Sequence, residues 1–170
     1  MVRIELITDG TDLVPEARAV ADRIVETRGE VTRPFQILLH SPSVAGPVAE
    51  LGDVVRSAST LTDPDRELAT LATGSVVGCD FVWTSHLASA AAAGIPAETI
   101  AKLRGDRTSL GARETAIVAF VDELCATNSV SPATFDRTRD ILGVRGIVEL
   151  ALTVGYYTML ARVMGTFEAC

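Results

Sequence analysis

Apolar residues along this chain recur three and four positions apart, and the runs are cut by glycine and proline. That period is helical. Leu13, Ala17, Val20, Ala21, Ile24 and Val25 form a stripe over Asp12 to Arg28, and Gly29 stops it. Pro34 to His40 predicts a short apolar turn or helix, broken by Ser41-Pro42. Val44, Val48, Leu51, Val54 and Val55 mark a further helix over Ser43 to Ser57. Thr62-Asp63-Pro64-Asp65 is a strong helix start, with a capping hydroxyl, a first-turn proline and acids at the positive end of the dipole. That helix is predicted from Pro64 to about Val77.

Gly78 resets the chain. Cys79 to Ala93 predicts a helix ended by Gly94, and Ile95-Pro96-Ala97-Glu98 opens a short one to Leu103. Gly105 to Gly111 reads as a loop. Ala112 to Thr127 carries Ile117, Phe120, Val121 and Leu124 on one face. Ser131-Pro132 opens a helix to Leu142, and Gly146 to Met164 is the most apolar helix of all. Only Val2 to Ile7 alternates in the manner of a strand, weakly. No repeat or low-complexity linker interrupts the pattern. The reading is one all-α domain over residues 1–170, with an N-terminal extension at 1–33 and a core at 34–170.

Composition narrows the function. With 170 residues and 48% hydrophobic side chains, the chain can bury a core and is not disordered. No apolar run approaches the roughly 18 to 20 residues that cross a bilayer, and the start lacks a signal-peptide layout. A soluble, cytoplasmic protein with no membrane partner is expected. Net charge is −7, from 22 acids against 15 bases, and all the bases but Lys102 are arginine. Without a basic cluster, nucleic acid is excluded as a partner. Mean hydropathy of +0.31 is high for such a chain and points to apolar faces buried between subunits. The three cysteines, Cys79, Cys125 and Cys170, are odd in number and widely spaced, so no disulfide framework is expected. Cys170, the last residue of the sequence, reads as exposed and disordered, and Cys125 as core.

The chain has two histidines. His86 follows Cys79 by seven residues on one predicted helix. Two turns place both on nearly the same face, about 10 Å apart along the axis. Cys79 falls at the helix start, where unpaired N–H groups favour a thiolate. Glu67 lies on the preceding helix and, in an antiparallel hairpin, reaches the middle of the Cys79 helix to orient the histidine ring. The plain alternatives are a buried apolar cysteine, a hydrogen-bonded core histidine and a solvent-facing glutamate. His40 reads as a capping or hydrogen-bonding residue.

The stretches Arg66-Glu67-Leu68 and Gly78-Cys79-Asp80-Phe81-Val82-Trp83-x-x-His86, with Ala90 to Gly94 and Ile100, resemble the carboxymuconolactone decarboxylase / AhpD-like alkylhydroperoxidase superfamily. Leu38-Leu39-His40-Ser41-Pro42 and Ile147-Val148-Glu149-Leu150 through Gly155-Tyr156-Tyr157 fit its lead-in and last helices, so the likeness spans roughly Phe35 to Phe167. It implies an all-helical AhpD-like fold and a homo-oligomer, trimer or hexamer. The peroxidase branch carries Cys-x-x-Cys-x-x-x-His, and here Val82 stands where the second cysteine belongs. Val82 cannot resolve a sulfenic acid, so that branch's disulfide cycle is not expected. Relatives with Tyr-Glu-Trp-x-x-His also differ, because Val82 replaces that glutamate.

These residues predict a cofactor-free enzyme acting on a small-molecule substrate by acid/base proton transfer. Decarboxylation or isomerisation of an activated acid, lactone or enone fits an apolar wall with one base and one thiol. His86 is the expected acid/base, Glu67 its orienting partner, and Cys79 a polarisable wall or second proton donor. Phe81, Val82, Trp83, Tyr156 and Tyr157 are the expected substrate-binding wall, with one of the two adjacent tyrosines facing it. Cys79, His86, His40 and Glu67 make four metal ligands on paper, but helical ligand pairs sit three or four residues apart, so no metal is expected. Two alternatives stand beside this: a single-cysteine peroxidase using Cys79, and a non-catalytic ligand-binding oligomer.

Overall fold

The structure is a computed structural model that describes residues 2–8 and 13–170. Among the described residues it is helical, with no strand: α1 (Pro15–Arg28), α2 (Arg33–Leu38), α3 (Pro42–Ser57), α4 (Asp63–Val76), α5 (Asp80–Ala92), α6 (Ala97–Lys102), a 3-10 turn at Arg107–Ser109, α7 (Ala112–Thr127) and α8 (Pro132–Thr166). The expected helix start at Asp12 lies outside the described residues. Val2 to Ile7 forms no ladder, although the Ile7 amide donates to the Gln36 carbonyl at 3.1 Å. The loop at Gly105 to Gly111 contains the 3-10 turn, started by the Asp106 side chain on the Thr108 amide.

The chain forms two compact units. The first runs to Ala58 and takes in Arg162–Ala169; the second is Ser59–Ala161 with Cys170. In the first, Ala21 and Ile24 of α1 meet Phe35, Leu39, Ala45 and Ala49 of the following helices. Gly29 adopts φ 81° and returns its amide to Val25, a left-handed cap that glycine takes without steric cost. Arg28, in the last turn of α1, donates to the Ala49 carbonyl at 2.8 Å, pairs with Asp53 at 2.8 Å and lies over the Phe35 ring. His40 bonds the Glu5 carbonyl through Nε2 at 2.8 Å, the hydrogen-bonding role read from the sequence.

The second unit is built around α4, whose residues Glu67 through Gly74 are buried without a break. Leu68, Leu71 and Ala72 of α4 share one core with Trp83 and Ala90 of α5, Ile117, Phe120 and Val121 of α7, and Leu150 and Val154 of α8. The predicted cap is present: Thr62 Oγ1 accepts from the Asp65 amide and donates to Asp65 Oδ2 at 2.6 Å. Arg113 of α7 grips the same carboxylate with two bonds of 2.8 and 2.6 Å. Burial pushes Asp65 up, but the bonds from Arg113 and Thr62 outweigh it and hold the carboxyl below its usual range. Glu149 of α8 is held the same way, mainly by Thr60, with Arg145 and Ser59 adding donors, and its pKa falls to about 2.

One feature of α8 agrees with the sequence reading and one departs from it. Its break falls at Gly143 (φ 71°, ψ 172°), between the two helices expected there, and a positive φ suits glycine. It is also long and apolar enough to cross a membrane by length and composition, with a stretch of mean hydropathy 1.3. Half of that stretch is buried inside the protein, as in the core helix of a packed domain. No single run of the sequence shows this, because the apolar residues are spread over the helix and interleaved with glycine and threonine.

Candidate active site

α4 and α5 are joined by only Val77, Gly78 and Cys79, so they run antiparallel as a hairpin. Gly78 takes φ 68° at the turn. Their seam closes tightest at Gly74, where a Cβ would come within 3.1 Å of both Val82 Cγ1 and the Trp83 amide nitrogen. That approach lets α4 lie along α5 and brings Glu67, two turns before Gly74, to His86 near the other end.

Glu67 Oε2 and His86 Nδ1 are 2.8 Å apart. The glutamate side chain is 8% exposed and the histidine 18%, so the pair is shielded while part of the ring reaches solvent. A carboxylate accepts and the ring nitrogen facing it donates; the basic lone pair is then on Nε2. Tyr157 of α8 packs edge-on to the His86 ring, with centroids 4.9 Å apart, and Tyr156 packs edge-on to Tyr157 at 5.3 Å. Both tyrosines are buried. Arg66 adds positive charge: its guanidinium lies 3.7 Å from the other Glu67 oxygen and 2.9 Å from Asp63. Its Nε is buried and has no hydrogen-bond partner among the described residues.

The other sequence candidates sit elsewhere along α5. Val82 is buried in the seam beside Gly74. Trp83 joins the core, with the Arg104 guanidinium 4.2 Å over its ring, and Arg104 in turn pairs with Asp80 at 2.7 Å. Phe81 is half-buried.

Cys79 caps α5 and is fully buried, and its sulfur is bonded to Cys170 in a disulfide spanning 91 residues, with the Cα atoms 5.1 Å apart. This corrects two expectations, that the cysteines form no disulfide and that Cys170 is disordered. Cys79 therefore presents no thiol to the histidine in this structure. Spacing could not reveal the pair: α8 and the turn after it carry Cys170 back to the head of α5, and only the fold brings them together. Cys125 is half-buried, outside any disulfide, with its sulfur 4.0 Å from Thr158 Oγ1.

The sequence profile described as "CMD: Carboxymuconolactone decarboxylase family" matches residues 42–123. No curated protein matches the sequence. Among solved structures, an uncharacterized peroxidase-related protein from Ralstonia eutropha JMP134, described as an alkylhydroperoxidase AhpD core, superposes with a TM-score of 0.81 at 18% identity, covering 99% of this chain and 91% of that one. A second uncharacterized peroxidase-related protein, from Silicibacter sp. TM1040, gives 0.79 at 17% identity over 98% and 90%. A cysteine-to-alanine variant of the debrominase Bmp8, in complex with 2,3,4-tribromopyrrole, gives 0.79 at 14% identity over 100% and 93%. The all-helical fold is that of the AhpD core, and residues 42–123 match the carboxymuconolactone decarboxylase family.

Proposed function

We propose that this protein is a small-molecule enzyme that moves a proton through His86, held in register by Glu67. The observation that carries this reading is the shielded 2.8 Å contact between Glu67 Oε2 and His86 Nδ1. Glu67 fixes the ring and its tautomer and balances the charge that forms when Nε2 takes a proton. Nε2 then returns the proton to a different atom of the substrate, which isomerises it, or protonates the carbanion left when carbon dioxide departs. The Tyr157 ring walls one side of the imidazole.

Arg66 gives the substrate class. The Arg66 guanidinium, paired with Asp63 and near Glu67, keeps a buried Nε without a partner among the described residues; its positive charge supports an anionic substrate, and a carboxylate matches a guanidinium fork best. The substrate is an activated carboxylic acid with an enone or lactone that delocalises the intermediate anion. The complex of a fold relative with a bromopyrrole supports a small, planar, unsaturated ligand.

The test is deuterium uptake from D2O into a panel of unsaturated acids, keto acids and acidic lactones, followed by NMR, with carbon dioxide release measured in parallel. Wild-type protein exchanges or decarboxylates at least one compound. His86→Ala removes that turnover, and Arg66→Gln raises KM more than it lowers kcat. Equal turnover by wild type and His86→Ala sinks the proposal.

A further inference from the structure

The disulfide lies about 10 Å along α5 from His86, too far for one reacting atom to touch both directly. It takes no part in the proton transfer proposed above. Its two sulfurs sit in opposite settings. Cys79 is fully buried at the N-cap of α5, a helix of 13 residues whose first amides and dipole favour negative charge at that position. The nearest acid, Asp80, is exposed and paired with Arg104, which reduces its opposition to a charge on Cys79. Cys170 is exposed, placed by a short return after α8 in which Glu168 takes φ 54° and the Ala169 amide bonds the Met164 carbonyl. A thiolate therefore approaches from the side of the exposed residue Cys170, whose sulfur lies 3.5 Å from the Ala161 carbonyl, and the head of α5 offsets the cost of a buried charge on Cys79.

We propose that Cys79 and Cys170 form a redox-active dithiol/disulfide centre, a second activity of this protein, in which a dithiol reductant enters at Cys170 and Cys79 leaves as the thiolate. In the first step, a thiolate of the reductant attacks Cys170 Sγ. A mixed disulfide forms, the Cys79–Cys170 bond breaks, and its electron pair goes to Cys79. In the second step, the reductant's other thiol, as its thiolate, attacks its own sulfur in the mixed disulfide. The reductant departs as a cyclic disulfide and Cys170 takes up a proton. The dithiol loses two electrons and the protein disulfide gains them. Re-oxidation runs the same exchange backwards with a small-molecule disulfide. Attack prefers an accessible sulfur and a stabilised leaving thiolate, which fixes the direction. Val82, in the place of the local second cysteine, leaves the distant Cys170 as the partner.

The experiment uses the native full chain. The oxidised protein is treated with limiting glutathione, quenched in acid, and mapped by peptide mass spectrometry. Separate samples are reduced with dithiothreitol without denaturant, quenched in acid, and alkylated after unfolding. Alkylatable thiols are expected to rise from one, Cys125, to three, within minutes. The glutathione adduct is expected on Cys170 with Cys79 released. In Cys170→Ser, Cys79 is alkylated after unfolding without any reductant, while deuterium exchange dependent on His86 is unchanged. A bond that opens only in denaturant overturns the proposal, and so does an adduct found predominantly on Cys79. Neither result bears on the His86 chemistry, so the two readings fail separately.

Discussion

Asp65 and Glu67 stand two residues apart on α4, both as buried carboxylates, yet they do different work. Asp65 accepts two bonds from Arg113 and one from the Thr62 hydroxyl, so its oxygens are filled by donors that do not titrate near neutrality. Glu67 faces an imidazole at 2.8 Å, with a guanidinium at 3.7 Å from its other oxygen. A carboxylate saturated by an arginine and a capping hydroxyl is a fastener between helices. One paired with a histidine whose second nitrogen is a base is, in the proposed function, part of a proton path. The burial is nearly the same, and the partners decide the role.

The largest effect that separates the two acids is on turnover. Replacing His86 by alanine removes general acid/base catalysis, a loss of about 10²- to 10⁴-fold in kcat. Glu67→Gln keeps the size of the side chain but loses the charge, and the loss is smaller, about 10-fold or more. Asp65→Asn leaves kcat per folded molecule within about 2-fold. Steady-state rates normalised to folded protein check all three, and an Asp65→Asn rate as low as that of Glu67→Gln would break the comparison.

Stability runs the other way. Asp65→Ala frees Arg113 and Thr62 and removes charged bonds between α4 and α7, a cost of about 2–3 kcal/mol in urea unfolding. Glu67→Gln falls below that cost because its amide still offers an oxygen to Nδ1. The seam that aligns the pair is tested by Gly74→Ala. Its Cβ meets Val82 and the Trp83 backbone at 3.1 Å, so the helices must part, at about 1–2 kcal/mol. The same shift moves Glu67 relative to His86, so kcat falls along with stability.

The smallest effect is in acid. Glu149 is ionised in the folded protein down to a pKa of about 2, against an ordinary value of 4.5. The folded state therefore binds the proton more weakly than the unfolded chain. The stabilisation is complete above about pH 4.5 and drains away as pH falls toward 2. Asp65, also lowered, adds to the slope below its ordinary value of 3.8. Glu149→Gln flattens the acid limb of the stability curve by about 1 kcal/mol, as urea midpoints between pH 5 and 2.5 will record.

Much of this architecture was legible in the sequence because its signals are local. Thr62-Asp63-Pro64-Asp65 announced α4, Gly29 closed α1, and Ala112 to Thr127 predicted α7 to the residue. The Glu67–His86 contact followed from a short connection that forces an antiparallel hairpin. What stayed hidden depends on distance along the chain. The Cys79–Cys170 bond joins residues 91 apart, and Arg113 reaches Asp65 across 48 positions. Trp83 and Val82 lie on the histidine's helix, yet one enters the core under Arg104 and the other the α4 seam. Spacing tells which residues share a face of one helix, but the neighbouring helix decides what that face meets.

The protonation of one ring nitrogen is the sharpest test of the Glu67–His86 pairing. The chain has two histidines, so long-range proton–nitrogen NMR at alkaline pH, with a His40→Gln variant for assignment, reads the neutral His86 ring alone. A proton on Nδ1 and a bare Nε2 are expected in the wild type, with that preference lost in Glu67→Ala, which removes the acceptor. A proton on Nε2 in the wild type would contradict this, because the nitrogen assigned as the base would then have no lone pair to offer.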